Sequence, residues 1–253
     1  MTEVIKLAAT QCGHTFKMNC SNCRLNSLCL PLSLDSRSMT ALDSIVERGK
    51  PLQKGQYVFR ENQPFNSIFA VRSGALKVFS STSDGREQIT GFYFPGEILG
   101  LDGISNNRYE SSAKALETAA ICEIPFDRLG DLSAQVPSLQ MQFFKLMSRE
   151  IGSDQQLITL LSKHTADERL ATFLLSISAR NARRGLSATR FRLPMSRLDI
   201  GNYLGLTVET VSRSIGRLQK QEIIEVSNKD IHIFDLSTLE TVAHSKLLET
   251  KEG

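Results

Sequence analysis

The segment MSRLDIGNYLGLTVETVSRSIGRLQKQEIIEV constrains the fold more than any other part of the chain. Ser196, followed three residues later by Asp199, forms a relative of the capping box, which predicts a short helix ending near Leu204. Gly205 then supplies a tight turn, and Thr207 is a good N-cap for a second helix. Two short helices joined by a glycine turn indicate a helix-turn-helix.

The second of these helices has one apolar face and one polar face. The apolar stripe, which must pack on the rest of the domain, consists of Val208, Val211, Ile215 and Leu218. Glu209, Ser212 and Arg213 lie on or beside the opposite face, where side chains of a recognition helix reach base edges in the major groove. Arg213 suits guanine, Glu209 a cytosine amino group, and Ser212 a base or a phosphate. Alternatively, Glu209 only favours the helix dipole and Arg213 is a solvated charge.

The stretch EIIEVSNKDIHIFD predicts two short strands, which would form a wing beside the helices. Positive charge is concentrated in this part of the chain, because residues 163–229 hold 12 Lys and Arg against 6 Asp and Glu, whereas residues 1–162 balance. Such a block indicates a nucleic-acid surface, and a solvated basic face is the alternative. The candidate phosphate contacts are Arg190, Arg192, Arg197, Lys220 and Lys229.

The chain between Lys54 and about Arg128 consists of short β-rich runs separated by glycine. The sequence SDGR lies between two of these runs and predicts a hairpin turn. Many short strands within about 75 residues indicate a small antiparallel barrel or jelly roll. The preceding stretch LDSRSMTALDSIVERGK has helical spacing, and we expect Pro51 to end that helix.

A long helix is predicted from Pro137 to about His164. Its apolar residues recur with heptad spacing along a seam that comprises Phe144, Met147, Ile151, Ile158 and Leu161. Asp154 occupies the missing seam position, where two facing carboxylates would repel on losing water, so we interpret the helix as a conditional coiled-coil dimer. An ordinary core helix is the alternative. A further amphipathic helix, HTADERLATFLLSISARNARRG, ends at Gly185.

Three of the five cysteines lie within the short stretch NCSNCRLNSLC, at positions Cys20, Cys23 and Cys29. A tetrahedral or cubane metal site needs a fourth ligand, and the candidates are Cys12, His14 and Cys122. The spacing alone leaves three interpretations open: a zinc site, an iron–sulfur cluster, or a thiol–disulfide switch.

The sequence contains no run of eighteen apolar residues and no secretory signal, which predicts a soluble, cytoplasmic protein with no membrane association and with reduced thiols. The Cys20-x-x-Cys23 pair lacks the strand-to-helix setting of a thioredoxin-like site. Paired carboxylates, a phosphate-binding glycine loop and a nucleophile triad are also missing from the sequence pattern. We therefore do not expect an enzyme.

A β-roll, a long dimer helix and a winged helix-turn-helix, in this order, resemble the Crp/Fnr family of bacterial transcription regulators. The resemblance covers essentially the whole chain. It implies an α+β fold with an N-terminal cyclic-nucleotide-binding-like β-roll (a jelly roll), a long dimerisation helix and a C-terminal winged helix-turn-helix. The expected divisions are a cluster-binding segment with a helix at 1–50, the β-roll sensor at 51–136, the dimerisation helix at 137–164 and the DNA-binding domain at 165–253.

The most specific parts of the resemblance are DIGNYLGLTVETVSR and the C-x₂-C-x₅-C pattern with a lone later cysteine. Together they look like the FNR (fumarate and nitrate reduction) oxygen-sensing branch. That branch implies Cys122 as the fourth ligand of a 4Fe–4S cluster, with no such role for Cys12. Glu209, Ser212 and Arg213 match its E-x-x-S-R base-reading pattern, which implies a homodimer on a palindromic double-stranded DNA site of the TTGAT…ATCAA type.

The resemblance also implies a regulatory cycle. The intact cluster would support dimerisation and DNA binding under anaerobic conditions, and molecular oxygen would convert it to a 2Fe–2S form and then to apoprotein. Leu28, beside Cys29, would either shield the cluster from oxygen or simply pack. RNA polymerase is an expected partner, and the expected contacts are polar turns of the β-roll at Ser73, Asp84, Gly85 and Arg86.

A regulator without a cluster, of the cyclic-nucleotide or the thiol-redox type, is the alternative. The cyclic-nucleotide branch of the family holds the cyclic phosphate with a Gly-Glu pair and a later Arg-Ser pair. Gly96 and Glu97 are present here, but the later pair is replaced by Glu110, Ser111 and Ser112. A carboxylate beside an anionic phosphate has the wrong sign of charge, and we do not expect Arg108 to reach in. Cyclic AMP is therefore not expected as the signal.

Overall fold

The computed structural model describes residues 19–31, 34–81 and 85–243. Residues 19–31 form consecutive turns, and the first helix, α1, covers Ser36–Ile45. The carboxylate of Asp35 caps α1 by accepting a hydrogen bond from the Ser38 backbone N–H at 2.7 Å. Helix α1 packs against helix α2 (Phe126–Gln135), which follows the last strand of the β-roll.

The β-roll consists of two antiparallel sheets, with strand orders β1-β6-β3-β4 and β5-β2-β7. The strands are β1 (Tyr57–Phe59), β2 (Ser67–Ser73), β3 (Leu76–Ser81), β4 (Glu87–Tyr93), β5 (Ile98–Leu99), β6 (Ser112–Ala115) and β7 (Ala120–Pro125). In the second sheet Cys122 of β7 lies opposite Ala70 of β2, well inside the paired region. The predicted jelly-roll architecture is confirmed.

The turn between β2 and β3 requires a glycine. Gly74 has a φ of +76°, and a Cβ atom at this position would lie 2.4 Å from the carbonyl oxygen of Thr118. Ser73 ends β2 beside this turn and is exposed. The close approach of the two backbones fixes where the turn emerges from the roll.

Two helices follow the β-roll and α2. Helix α3 covers Pro137–Lys163, with a proline in its first turn that has no N–H to leave unpaired. Helix α4 covers Ala166–Arg183 and begins with a capping box between Thr165 and Glu168. The long helix predicted from heptad spacing is confirmed.

The winged helix comprises α4 and the elements that follow it. These are β8 (Arg190–Arg192), α5 (Arg197–Leu204), α6 (Val208–Lys220), β9 (Ile224–Ser227), β10 (Asp230–Ile233) and α7 (Leu236–Ala243). Ser196 and Asp199 form the predicted capping box of α5, and Gly205 ends this helix in a left-handed conformation with φ of +64°. The helix-turn-helix is therefore present as its sequence predicts.

Two hydrophobic cores hold the described residues together. One fills the interior of the β-roll and includes the fully buried Leu30, Leu42 and Leu139, so the N-terminal segment, α1 and the start of α3 share it. The other joins the outer face of strands β3 and β4, including Phe79 and Phe92, to the core of the winged helix. The winged helix is thus packed directly on the roll.

The structure corrects the predicted extents of several elements. Helix α1 ends at Ile45 rather than at Pro51, because Glu47 pairs in both directions with Glu123 of β7 at 2.8 Å and draws the chain into extended conformation. The wing has three strands rather than two, since β8 pairs with β10. Helices α2 and α7 lie where the sequence pattern predicted no helix.

Candidate functional site

Four free thiols line one pocket between the N-terminal segment and the β-roll. Cys20, Cys23 and Cys29 come from the turns of residues 19–31, and Cys122 comes from β7. The wall of the pocket is largely apolar and includes Leu25, Leu30, Leu42, Val71 and Ile124. The structure thus brings the three clustered cysteines together with the fourth one named from the sequence. Cys12 and His14 lie outside the described residues.

Cys20 makes hydrogen bonds with an aspartate and an arginine that the sequence did not predict as part of the site. Asp43 of α1 accepts a hydrogen bond from the Cys20 backbone N–H at 2.8 Å. The Arg48 guanidinium donates to the same carboxylate oxygen at 2.5 Å and to the Cys20 sulfur at 3.4 Å. The sequence pattern alone does not show that this pair contacts Cys20, because those contacts require residues 19–31 to lie against α1.

The environment of the pocket favours the protonated thiol at Cys20, Cys29 and Cys122. Burial raises the pKa of Cys29 to about 12, and burial together with the neighbouring Asp43 raises the pKa of Cys20 to about 12. Burial also raises the pKa of Cys122, although the charge of Arg48 opposes that shift. A metal centre that bound these three cysteines would displace their protons, as metal binding to cysteine requires.

The donor set of the pocket suits an iron–sulfur cluster. In the described part of the chain, no group of three or more His, Cys, Asp or Glu side chains is placed to hold a metal ion. A zinc ion draws four sulfurs to about 2.3 Å from one centre. In a 4Fe–4S cluster each cysteine binds a different iron atom, so the four sulfurs lie further apart around a larger group. Both centres use four cysteine ligands, and the pocket supplies four thiols.

The candidate base-reading residues lie on the outer side of α6. Thr207 caps this helix by accepting from the Thr210 backbone N–H at 3.2 Å. The inner face of α6 is buried through Val211, Ser214, Ile215 and Leu218. Glu209 and Arg213 are exposed, and half-buried Ser212 accepts a hydrogen bond from Arg197 at 3.2 Å. The three side chains share the free face of a helix, as their spacing predicts.

The candidate phosphate contacts differ in availability. Arg190, Arg192, Arg197 and Lys220 are exposed around the helix-turn-helix and the wing. Lys229 is instead half-buried and donates to the Pro194 carbonyl oxygen at 2.6 Å, so it ties the wing to the segment before α5. Its role in the described structure is to hold the wing in place.

Comparisons with known proteins bear on both halves of the chain. A model of the cyclic nucleotide-binding domain matches residues 50–135, and a model of the Crp-like helix-turn-helix domain matches residues 168–242. The chain is 54% identical over 247 residues to the transcriptional activator protein anr of Pseudomonas aeruginosa, covering 98% of this chain and 99% of the relative. The chain belongs to the Crp/Fnr family of transcription regulators.

Further relatives agree with this assignment to the Crp/Fnr family, whose members are regulators and not enzymes. The fumarate and nitrate reduction regulatory protein of Yersinia pestis is 49% identical over 90% of this chain and 91% of its own length. Among solved structures, FixK2 of Bradyrhizobium japonicum superposes with a TM-score of 0.72 at 30% identity, over 78% of this chain and 97% of that chain. No described helix is both long enough and apolar enough to cross a membrane.

The nucleotide cassette of the Crp/Fnr family is altered in this chain. Ser111 donates to Asp102 at 2.5 Å, and Glu110 accepts from Asn106 at 2.5 Å, so two carboxylates lie where a cyclic phosphate would need cations. Arg108 does not reach in, because its guanidinium donates to the Asn62 carbonyl oxygen at 2.7 Å. That cyclic AMP is not the signal stays a prediction.

The predicted dimer seam is largely an open surface of α3. Phe144, Ile151 and Ile158 have exposed fractions of 54%, 57% and 65%, which is far above the level of a core helix. The remaining seam residues are exposed Asp154 and half-buried Met147 and Leu161. Met141, 55% exposed, extends the apolar surface by one turn and was missed because it falls outside the heptad.

The turns expected to contact RNA polymerase are only partly described. Ser73, Gly85 and Arg86 are exposed at two turns of the β-roll, between β2 and β3 and between β3 and β4. Asp84 lies outside the described residues. A role for these positions in binding RNA polymerase stays a prediction.

Proposed function

We propose that this Crp/Fnr regulator is an oxygen-responsive transcription activator that senses oxygen through a 4Fe–4S cluster bound by Cys20, Cys23, Cys29 and Cys122. The observation that carries the proposal is the single pocket into which all four thiols converge. The names of its relatives support the same proposal, since they include a transcriptional activator protein, an anaerobic regulatory protein and a fumarate and nitrate reduction regulatory protein.

When bound, the cluster would supply an oxygen-labile link between two parts of the chain, lost by way of a 2Fe–2S form. Three of its ligands would come from the turns of residues 19–31, and the fourth from a strand inside the roll. Breaking such a link releases residues 19–31 from β7, whereas a site made wholly within residues 19–31 would stabilise only those turns. The separation of Cys122 from the other ligands therefore suits a sensor.

A short chain of contacts leads from the cysteine segment to the dimer helix. Leu28 packs on Gly96, since a Cβ atom at Gly96 would lie 3.0 Å from the Leu28 Cβ. Close by, at the end of β4, the Tyr93 hydroxyl donates to Glu150 of α3 at 3.4 Å. Glu150 lies one helical turn before Asp154. In the proposed mechanism, a shift of residues 19–31 would reach the seam through this region.

The dimer forms through the exposed face of α3 in this proposal. Burying Phe144, Ile151 and Ile158 against a second copy stabilises the pair by the hydrophobic effect, and Asp154 opposes it because two carboxylates would lose water together. Pairing that is nearly balanced responds to a small change in the position of α3. The homodimer then carries two recognition helices to a palindromic site of the TTGAT…ATCAA type.

The reading of DNA rests on Glu209, Ser212 and Arg213 at the free face of α6. A monomer offers one recognition helix, so loss of pairing removes roughly half of the contacts and most of the affinity. We place the protein in the cytoplasm, with the exposed turns at Ser73 and Gly85 as the contacts to RNA polymerase.

The proposal is tested by following oligomeric state and DNA binding in one anaerobic sample before and after exposure to air. Size-exclusion chromatography should show a dimer that becomes a monomer, and binding to a TTGAT…ATCAA duplex should fall in parallel. A sample that binds the duplex equally well as an air-exposed monomer would contradict the proposed mechanism. Saturable binding of a cyclic nucleotide to the cluster-free protein would favour a nucleotide-type regulator instead.

A further inference from the structure

Strand β4 forms one edge of its sheet, in the order β1-β6-β3-β4. An edge strand presents unpaired backbone N–H and C=O groups, which need partners when they are not in water. Here the first helix of the helix-turn-helix, α5, packs along this edge. The partner groups therefore come from the DNA-reading unit.

One side chain of α5 pairs with β4 as a neighbouring strand would. The Asn202 Oδ1 accepts from the Ile89 backbone N–H at 2.6 Å, and the Asn202 Nδ2 donates to the Glu87 carbonyl oxygen at 2.6 Å. Gln88 of the strand returns a hydrogen bond to the Asn202 carbonyl oxygen at 2.9 Å. Only a side-chain amide of this length offers an acceptor and a donor at the required spacing.

Charged contacts flank the asparagine at this junction. Lys77 of β3 bridges Glu87 of β4, at 3.2 Å, and Asp199 of α5, at 3.1 Å. At the other end of β4, Arg180 of α4 donates to the Phe92 carbonyl oxygen at 2.7 Å. The junction is therefore fixed at several points along β4.

Aromatic side chains pack together at the same junction. The ring of Phe92 lies 5.2 Å from that of Tyr203 and 6.0 Å from that of Phe173, measured between centroids. These residues belong to the core shared by the roll and the winged helix. Ile89 is buried beside this cluster, whereas Glu87 and Gln88 are exposed, so of the Asn202 hydrogen bonds the one from the Ile89 N–H is the costliest to lose.

We propose that Asn202 is a positioning residue for DNA binding, which fixes α5 on β4 and thereby sets the direction of α6 relative to α3. Its amide is committed to the β-roll, so it positions the reading face without contacting a base. In a dimer the two recognition helices must match half-sites one turn of DNA apart, about 34 Å, and a loosely held winged helix would meet that spacing less often. This inference rests on DNA binding by the family and not on the cluster.

The test compares full-length Asn202→Ala and Asn202→Asp with wild type and with Leu198→Ala. Leu198 is exposed on the same helix, so its variant controls for changes to α5 that leave β4 untouched. Hydrogen exchange is measured at the Ile89 amide and along α6, in protein freed of any metal. Affinity for a TTGAT…ATCAA duplex is measured in parallel, on anaerobically prepared protein, as a function of salt concentration.

We expect Asn202→Ala to speed exchange at the Ile89 amide by about tenfold or more, the equivalent of one lost hydrogen bond, while exchange along α6 is unchanged. DNA affinity should fall by about 5- to 30-fold with an unchanged salt dependence, because no phosphate contact is lost. Asn202→Asp keeps the acceptor for Ile89 but loses the donor for Glu87, so it should protect the amide and still weaken DNA binding. Leu198→Ala should leave exchange along β4 at the wild-type rate.

Two results would overturn the inference: unchanged exchange at Ile89 in Asn202→Ala, or a loss of DNA affinity with a shallower salt dependence, which marks a phosphate contact. If Asn202→Ala does not fold, Lys77→Ala tests the same junction from the β-roll. We then expect about two- to fivefold weaker DNA binding and faster hydrogen exchange along β4. An unaltered Lys77→Ala protein would then refute it. Failure of wild type to bind the duplex would count against the proposed function, and the exchange result would still decide the role of Asn202.

Discussion

The cysteine segment, residues 19–31, and the winged helix, residues 166–243, are built in opposite ways. In the winged helix, capping boxes at Thr165 and Ser196 cap the N-termini of α4 and α5, and a continuous apolar core fills the interior. The cysteine segment consists of turns, and its described polar ties to the rest of the chain run through Asp43 and Arg48. A DNA-binding domain can stay rigid, whereas a sensor needs a segment whose position depends on whether its ligand is bound.

Helix α3 links these two regions. The test with the largest expected effect changes the proposed cluster alone. Cys122→Ser should abolish the visible absorption of anaerobically prepared protein, together with dimerisation and DNA binding, because a cluster needs all four thiolates. The winged helix should keep its thermal unfolding transition. Cys12→Ser is the matched control, and equal loss of absorption from both variants would show that the ligands are wrongly assigned.

A substitution on the recognition helix α6 should leave the proposed cluster site unchanged. Arg213→Ala should weaken binding to the TTGAT…ATCAA duplex by about 1–3 kcal/mol, because a bidentate contact to guanine is lost. Cluster absorption and dimerisation should stay as in wild type. Arg128→Ala, an exposed arginine on α2, serves as control, and equal weakening by the two variants would mean that Arg213 acts only as a general positive charge.

Glu150 offers a pH-dependent test of the helix between the two regions. Burial, with Glu97 and Asp154 nearby, raises the pKa of Glu150 to about 7, while Arg180 and the Tyr93 hydroxyl act in the opposite direction. The native protein therefore keeps a proton that the unfolded chain releases above about pH 4.5, so stability present at acid pH is lost as the pH rises through about 7.

Glu150→Gln should remove this loss. At pH 8 the variant should be more stable than wild type by on the order of 2 kcal/mol, and the difference should vanish near pH 4.5. Chemical denaturation of cluster-free protein across this range measures it. Glu117→Gln, an exposed glutamate on the roll, is the control, and a pH-independent difference for Glu150→Gln would refute the assigned titration.

Asp154 tests how closely pairing is balanced. Asp154→Ala removes the facing carboxylates from the seam, so the cluster-free protein should dimerise in air with a dissociation constant lower by about tenfold or more. Analytical ultracentrifugation measures this, with Asp131→Ala on α2 as the charge control. An aerobic Asp154→Ala protein that stays monomeric at every concentration would remove the basis for the seam.

The smallest expected effect lies in the helix caps of the reader. Ser196→Ala removes an oxygen that accepts from the Asp199 backbone N–H at 3.1 Å, which should cost about 1 kcal/mol of winged-helix stability. Exposed Ser153→Ala on α3 is the control. A change in cluster absorption in Ser196→Ala, without a change in stability, would contradict the separation of the two regions.

The features that the sequence predicts well are local ones. The capping box of α5, the turn at Gly205 and the stripe of α6 each depend on residues a few positions apart, and all are confirmed. The exposed positions on α3 follow from heptad spacing in the same way, except for Met141 just beside the seam. Such patterns can be interpreted from sequence because residues three or four positions apart on a helix are neighbours regardless of the rest of the fold.

The features that the sequence misses depend on distant partners. Helix α1 ends early because Glu47 pairs with Glu123, and Asp43 and Arg48 contact Cys20 only because residues 19–31 lie against α1. Asn202 lies within a motif typical of DNA binding, and only the structure reveals that its amide contacts β4. The convergence of Cys122 with the other three cysteines rested on the family resemblance, because spacing alone left zinc and a switch open.

Counting iron and acid-labile sulfide per chain in anaerobically purified protein tests the central claim most directly. A 4Fe–4S cluster on Cys20, Cys23, Cys29 and Cys122 predicts about four iron and about four sulfide per chain, falling together as the sample is exposed to air. Protein with one zinc ion per chain and no sulfide, or with neither metal nor sulfide while still binding DNA as a dimer, would contradict it.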